Sequence, residues 1–470
     1  MSSTAESALE VDPATGGSLT AASLPSSWPG ISSRLRAHLV GFLRRDPRLF
    51  RIARAAYLGV WRRRAAFAAR LSASSVPVPL TLRVDPRRIS RAGVGWGAGG
   101  PAAAPKGDWD LDAMPFEHLD MYQSLAAHFL HQVPWPETPY YHGLVAGVDP
   151  SACPWPIDGP DDLQRWLLHL ELLYRLARDR AAGLADAPLG VNDLDEISVR
   201  IGRDGALLAD RGRHWLAIAR LAGLRQVTVR VTARHPEWRR FRAQVLRYAA
   251  EHGGSVYQQI LHPDLADIPA GHGHQRFEML RAHLGAKGGK LLDIGANWGY
   301  FCHRFEEEGF ECYAVERSLL EFSFLERLRR AEGRRFTAIN LDVFRFLERS
   351  EFDVVLALNI FHHFLKTEDD HARLVQLLRR LRASELILET HDPSEPQMRG
   401  AYRNLEPLEF VQFVAEQGGF DRWECLGAAD EAGRRLYKLT ASHRLPEIRD
   451  EPALDRYAVE VGTRPAMAVG

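Results

Sequence analysis

The chain has 470 residues, 46% of them hydrophobic, and its 60 Lys and Arg balance 60 Asp and Glu. That length exceeds one ordinary core and implies two or three domains, and a formal charge of zero gives no overall footprint for a nucleic-acid partner. The four cysteines, Cys153, Cys302, Cys312 and Cys425, form no Cys-x-x-Cys pair, which argues against a zinc knuckle or a disulfide framework and fits a reducing cytoplasm.

Residues 1–33 are rich in Ser, Ala, Gly and Pro and carry Glu6, Glu10 and Asp12 where a secretory signal needs a positive start, so they read as a disordered leader. Every apolar run is broken by Arg before it reaches the roughly 18 residues a membrane-spanning helix needs. The arm 34–75 follows. Over 34–70 it holds eleven arginines against one acid, Asp46, while Leu35, Leu39, Phe42, Leu49, Ile52, Tyr57, Val60 and Trp61 recur at helical spacing. This predicts one or two basic amphipathic helices, broken near Pro47. Two roles stay open for it: docking on its own protein with Arg outward, or peripheral contact with an anionic membrane or with phosphates.

An α+β region is expected over 76–250. Residues 92–105, AGVGWGAGGPAAAP, read as a linker, and HFLHQVPWPETPYYHG (128–143) as irregular packed structure. The stretch 161–182 has Asp161 and Asp162 at its start, Arg near its end, and Trp166, Leu167, Leu170, Leu173, Tyr174 and Leu176 at one-face spacing, which predicts a helix. Residues 196–238 predict a strand at 197–201, a turn at Arg203-Asp204-Gly205, a helix through 213–222 and a Val-rich strand at 227–231.

Over about 190–235 this unit resembles the ParB/sulfiredoxin-like fold. The resemblance implies a Gly-x-His-Arg signature that sets a helix N-terminus at a nucleotide phosphate. Here the residues are Gly212-Arg213-His214-Trp215, so Trp stands in place of Arg, and Arg211 or Arg213 would have to supply the cation. Anion binding and a degenerate docking or dimerisation module are both open.

From about residue 285 the pattern changes. The runs KLLDI, ECYAVE, RFTAI, FDVVLAL and ELILET alternate with helical segments, the mark of parallel strands joined by crossover helices, with an antiparallel hairpin around 420–427 and 434–440 closing an α/β doubly wound sheet. The first strand, Leu291–Ile294, stops at Gly295, and the turn 295–299 leads into a helix beginning near Trp298, so that backbone amides face the strand's carboxyl end. Asn297 stands where a further Gly is common and tolerates a left-handed conformation. Glu316 ends the next strand, 21 residues after Gly295, where a carboxylate can accept bonds from both hydroxyls of a ribose. A dinucleotide and S-adenosylmethionine both fit, but the Gly-x-Gly-x-x-Gly spacing for a pyrophosphate is absent. Asp342 ends a third strand, where it can bond an adenine amino group, and the fourth strand ends in Asn359-Ile360-Phe361-His362-His363.

DIGANWG, AVE, LDV and FDVVLALNIFHH, in this order and spacing, resemble the motif series of class I S-adenosylmethionine-dependent methyltransferases over about residues 275–440. The resemblance implies a Rossmann-like seven-stranded sheet, a catalytic domain over 251–440 and S-adenosylmethionine as cofactor, with 441–470 left as a tail. It implies that Asp293, Gly295, Ala296, Asn297, Trp298 and Gly299 line the methionine end, that Glu316 holds the ribose, that Asp342 and Val343 flank the adenine and that Asn359 closes the pocket. His362 and His363 lie where the family meets its acceptor, and an imidazole of near-neutral pKa there can take a proton from a hydroxyl. Ser255–Pro263 and Arg276 are candidates for a lid or a carboxylate contact, against a packed connector. His272, His274 and His391-Asp392 lack further spaced ligands, so no metal is expected. The expected function is methylation of a small molecule such as a sugar, lipid precursor or secondary metabolite. An RNA or tRNA methyltransferase and a non-catalytic cofactor-binding scaffold with the ParB-like half as output are the alternatives.

Overall fold

The computed structural model describes residues 81–93, 107–147, 157–183, 197–346, 351–428 and 434–442. The leader, the basic arm 34–75 and nearly all of the tail lie outside the described residues. The chain divides into two compact units, Met1–Phe241 and Arg242–Gly470.

The first unit carries a six-stranded mixed sheet built from β1 (Thr81–Val84), β2 (Arg91–Gly93), β3 (Ala113–Pro115), β4 (Ser198–Ile201), β5 (Leu207–Arg211) and β6 (Val227–Arg234), in the order β1-β6-β4-β5-β2-β3. β4 and β5 form the expected hairpin, and its turn is held from outside: the Arg203 amide donates to Asp110 Oδ2 at 2.7 Å and its guanidinium to both Asp110 oxygens. The helices are α1 (Asp120–His131), α2 (Pro139–Ala146), α3 (Pro160–Ala181), α4 (Arg213–Leu221) and α5 (Pro236–Glu251), the last running across the division.

Two expectations are corrected here. The aromatic and proline-rich stretch 128–143 is largely helical, because its prolines sit where helices begin: Pro139 opens α2 and Thr138 caps it, accepting the Tyr141 amide. On α3, Leu176 faces solvent, and Leu163 and Ala177 complete the buried face in its place.

The second unit holds a short parallel pair, β7 (Val256–Gln258) and β8 (Ala270–His272), then α6 (His274–His283) and the main sheet. Its elements are β9 (Gly289–Ile294), α7 (Tyr300–Glu307), β10 (Phe310–Val315), α8 (Leu319–Ala331), β11 (Thr337–Ile339), α9 (Val343–Phe346), β12 (Glu351–Ala357), α10 (Glu368–Arg380), β13 (Arg382–Glu389), α11 (Pro407–Gly418), β14 (Arg422–Ala428) and β15 (Arg435–Thr440). The seven strands lie in the order β11-β10-β9-β12-β13-β15-β14, parallel from β11 to β13, with β15 antiparallel to both its neighbours.

Near-continuous apolar strands are required because both faces of the sheet are covered. Alternate residues serve opposite faces: Leu292, Val355 and Leu386 enter one core cluster, whereas Leu291, Val354 and Ile387 enter the other. Local signals agree with the helices, since Ser318 and Thr367 cap α8 and α10 and acidic residues fill the first turn of each. Leu386→Ala, a truncation on a fully buried central strand, is expected to destabilise the second unit by about 2–5 kcal/mol, read as a lowered midpoint in urea unfolding.

Candidate active site

The strand order reverses between β9 and β12. From β9 the chain proceeds to β10 and β11 on one side; from β12 it proceeds to β13 on the other. The loops leaving the carboxyl ends of these two neighbours therefore part and open a crevice, the place where doubly wound sheets bind ligands.

The turn after β9 fills one wall. Gly295, Asn297 and Gly299 have φ of 72°, 51° and 80°, three left-handed positions in five residues. Side chains are excluded at the glycines by contact as well as by φ: a Cβ on Gly295 would lie 3.0 Å from Ile360 Cδ1, and one on Gly299 would lie 3.3 Å from Leu325 Cγ and Phe336 Cζ. The Gly295 and Ala296 amides both donate to the Val315 carbonyl, at 2.9 and 3.1 Å. The helix starts at Tyr300 rather than near Trp298, with Gly299 as its N-cap. Trp298 turns its indole away, stacking on Phe324 at 4.5 Å and donating from Nε1 to Glu321 Oε2 at 2.5 Å. Its side chain braces the turn against α8.

Glu316 follows β10 directly and joins the turn to the next loop. One carboxylate oxygen accepts the Ser318 amide at 2.8 Å and the other the Asn297 amide at 3.1 Å. Each oxygen keeps a lone pair for a further donor. Burial raises its pKa, with Glu321 adding to the effect, against the lowering by the two amide bonds. Asp293 is buried at 2% exposure, and its Oδ2 has no hydrogen-bond partner. Burial, and then the Glu316 carboxylate, push its pKa up to about 7. An unsatisfied buried carboxylate oxygen is costly, and a cationic donor such as the ammonium of a methionine moiety relieves it. The residues present thus fit S-adenosylmethionine.

The remaining wall is more heavily engaged than the sequence suggests. Asp342 Oδ1 caps α9 through the Phe344 amide, and Oδ2 pairs with Arg373 at 3.0 Å. Val343 is buried in the core with Ile339 and Phe346. Asn359 is left-handed at φ 54° and donates from Nδ2 to the Tyr257 hydroxyl at 2.9 Å, while its Oδ1 accepts from Arg434. Arg434 is gripped in turn by Glu395 at 2.9 and 2.8 Å. Burial alone would raise Glu395, but bonds from Arg434 and Gln397 bring it down to about 2. Tyr257 belongs to the Ser255–Pro263 candidate stretch, whereas no motif marks Glu395 or Arg434, which only the fold brings to Asn359. Arg276, a candidate carboxylate contact, is buried and paired with Glu389.

His362 and His363 follow β12 in the turn Phe361–Leu365. The near-neutral pKa expected for them is not found. Burial, followed by the nearby His363, Arg434 and His391, lowers His362 to about 3; the exposed His363 is lowered in the same direction, by partial desolvation of its ring and by the charges of Lys366, Arg317 and Arg434. His362 is 1% exposed, and neither ring nitrogen has a hydrogen-bond partner. His363 lies at the surface with Nδ1 3.1 Å from Lys366 Nζ. His391, after β13, stands 5.8 Å from His362 between ring centroids. Among the described residues no three His, Cys, Asp or Glu side chains group as metal ligands.

The strand order and the crevice define a class I S-adenosylmethionine-dependent methyltransferase domain in the second unit. Residues 292–385 match the family model described as a methyltransferase domain, and S-adenosylmethionine is that family's methyl donor. No curated protein matches the chain. Among solved structures, the bifunctional kinase-methyltransferase WbdD is similar at 21% identity and a TM-score of 0.35, over 42% of this chain and 46% of that one, less than half its length. Magnesium protoporphyrin IX methyltransferase (ChlM) from Synechocystis PCC 6803 is similar at 18% identity and 0.29, over 36% and 77%. The methyltransferase domain of bacterial CtHen1 is similar at 18% and 0.29, over 35% and 97%.

The Asp293 shift has a definite sign. Its unfolded value is 3.8 and its folded value about 7, so folding favours the neutral acid. That stabilisation is complete below the unfolded value and is lost as pH rises through the folded one. Asp293→Asn removes the titration, and the variant is expected to gain stability relative to the ligand-free parent as pH is raised across this window, measured by urea unfolding at a series of pH values.

Proposed function

We propose that the chain methylates a small-molecule acceptor, a sugar, lipid precursor or secondary metabolite, in a cytoplasmic setting. The observation that carries this reading is His362: a buried imidazole with both nitrogens unmet, at the end of the strand next to the cofactor turn. His362 is only 1% exposed, and an acceptor hydroxyl is the partner its nitrogens lack.

The roles follow. Asp293 and the turn through Gly299 hold the methionine end, Glu316 takes the ribose hydroxyls, Asp342 and Val343 border the adenine, and Asn359, fixed by Tyr257 and Arg434, closes the pocket. In this arrangement Ala296 and Trp298 contribute backbone and bracing rather than side-chain contacts. When bound, S-adenosylmethionine supplies a methyl group made electrophilic by its sulfonium. His362 accepts the hydrogen bond of the acceptor hydroxyl and receives its proton as the oxygen takes the methyl group. A lowered pKa makes it a weak base that stays neutral across physiological pH, so alignment of the acceptor is the larger part of its contribution. His363, tied to Lys366 at the surface, borders the entrance.

The ParB-like reading of 190–235 has less support for anion binding than for docking or dimerisation. Of the two candidates for the missing cation, Arg213 donates from Nη2 to the Gly93 carbonyl at 2.5 Å and so serves the fold, while Arg211 is exposed. His214 is buried, edge-on to Trp166 at 5.1 Å.

Calorimetric titration of S-adenosylmethionine and S-adenosylhomocysteine into the protein tests the pocket. Glu316→Ala is expected to weaken both at least about tenfold, the effect of ~1.4 kcal/mol, and unchanged binding would remove Glu316 from the ribose. With an acceptor in hand, His362→Phe is expected to lower kcat by up to about a hundredfold through lost alignment while leaving cofactor affinity unchanged. Cofactor binding without transfer to any acceptor class would favour the scaffold alternative.

A further inference from the structure

Helix α3 is more apolar than one buried face explains. Trp166, Leu170 and Leu173 are in the core of the first unit, yet on the opposite side Leu168, Leu172 and Leu176 are 53%, 48% and 42% exposed. A run of exposed leucines along one side of a helix marks a surface that something covers.

The pattern of that surface identifies the partner. At about 100° per residue, Arg165, Leu168, Leu172, Leu176 and Asp179 fall within an arc of about 80°, along roughly 21 Å of helix. Their offsets from Leu172 are symmetric, so the stripe reads the same from either end, except that a cation stands at one end and an anion at the other. Arg165 makes an exposed bond to Asp162 one turn away, and Asp179 has no partner among the described residues.

We propose that the chain forms an isologous dimer in which α3 packs antiparallel on α3 of a second copy, with the twofold axis at Leu172. A twofold contact must be self-complementary. In this register Leu172 meets its own copy, Leu168 meets Leu176, and each Arg165 faces the other copy's Asp179. A parallel pairing would set Arg165 on Arg165.

Sedimentation of the full chain tests the pairing. The parent protein is expected to be a dimer with a micromolar or tighter Kd, and Leu172→Glu a folded monomer, its fold checked by circular dichroism. Arg165→Glu and Asp179→Arg are each expected to weaken the dimer, whereas the two together exchange the charges and restore it, a coupling that two independent surface changes do not show. A monomeric parent, a dimer indifferent to Leu172→Glu, or a double variant no better than its singles would overturn the proposal. So would a monomer that dimerises only when residues 1–75 are removed, which would give the stripe to the arm.

Discussion

Everything in the second unit's site depends on a backbone constraint: the chain leaving β9 must pass through three left-handed residues within five. L side chains resist that conformation, and Gly295, Asn297 and Gly299 accept it. The turn is fastened on both sides. The Val315 carbonyl takes two of its amides and Glu316 takes a third, so its shape is locked to the end of β10. Ile360 and Leu325 stand where side chains on the two glycines would go. The same contacts that force glycine thus set the spacing between the turn, the β12 loop and α8.

Near the switch point some polar groups are held by ion pairs, while two keep unmet polar atoms. Arg276 with Glu389, and Arg434 with Glu395, are buried or half-buried ions whose charges are matched. Asp293 Oδ2 and both His362 nitrogens have no partner. Native structures leave few such groups, and each unmet one costs free energy that a bound partner can return. The two lie beside the switch point, Asp293 near the carboxyl end of β9 and His362 in the turn after β12. Their pKa values are displaced in opposite directions, the acid upward and the base downward, which is what burial does when it favours the neutral form of each. A cation placed beside Asp293 would favour its charged form instead.

The parallel strands, their crossovers and the glycine turn were legible because each is written in local sequence: apolar runs with period-two exchange between faces, capping residues at helix starts, and turn residues that only special φ values require. Glu316 was legible from its distance to Gly295. What stayed hidden is whatever depends on pairs distant in the chain. Arg434 reaches Asn359 across 75 positions and Arg276 reaches Glu389 across 113, and no periodicity encodes such a meeting. The helical character of 128–143 was obscured by its prolines, which mark helix starts as readily as breaks. The near-neutral histidines failed for the same reason as the ion pairs, since the burial that lowers them is a property of the assembled sheet.

Leu176 illustrates how a misplaced residue becomes informative. Helical spacing placed it with the core set, because spacing records apolarity and cannot say how many faces a helix must cover. In the fold the core set closes without it, through Leu163 and Ala177, and Leu176 joins Leu168 and Leu172 on the other side. An amphipathic helix in a monomer has no use for that second stripe, which exposes apolar surface to water and favours self-association. Arg213 gives a parallel lesson in the same unit: a cation at a helix start reads as a ligand contact, but here it is bonded to Gly93.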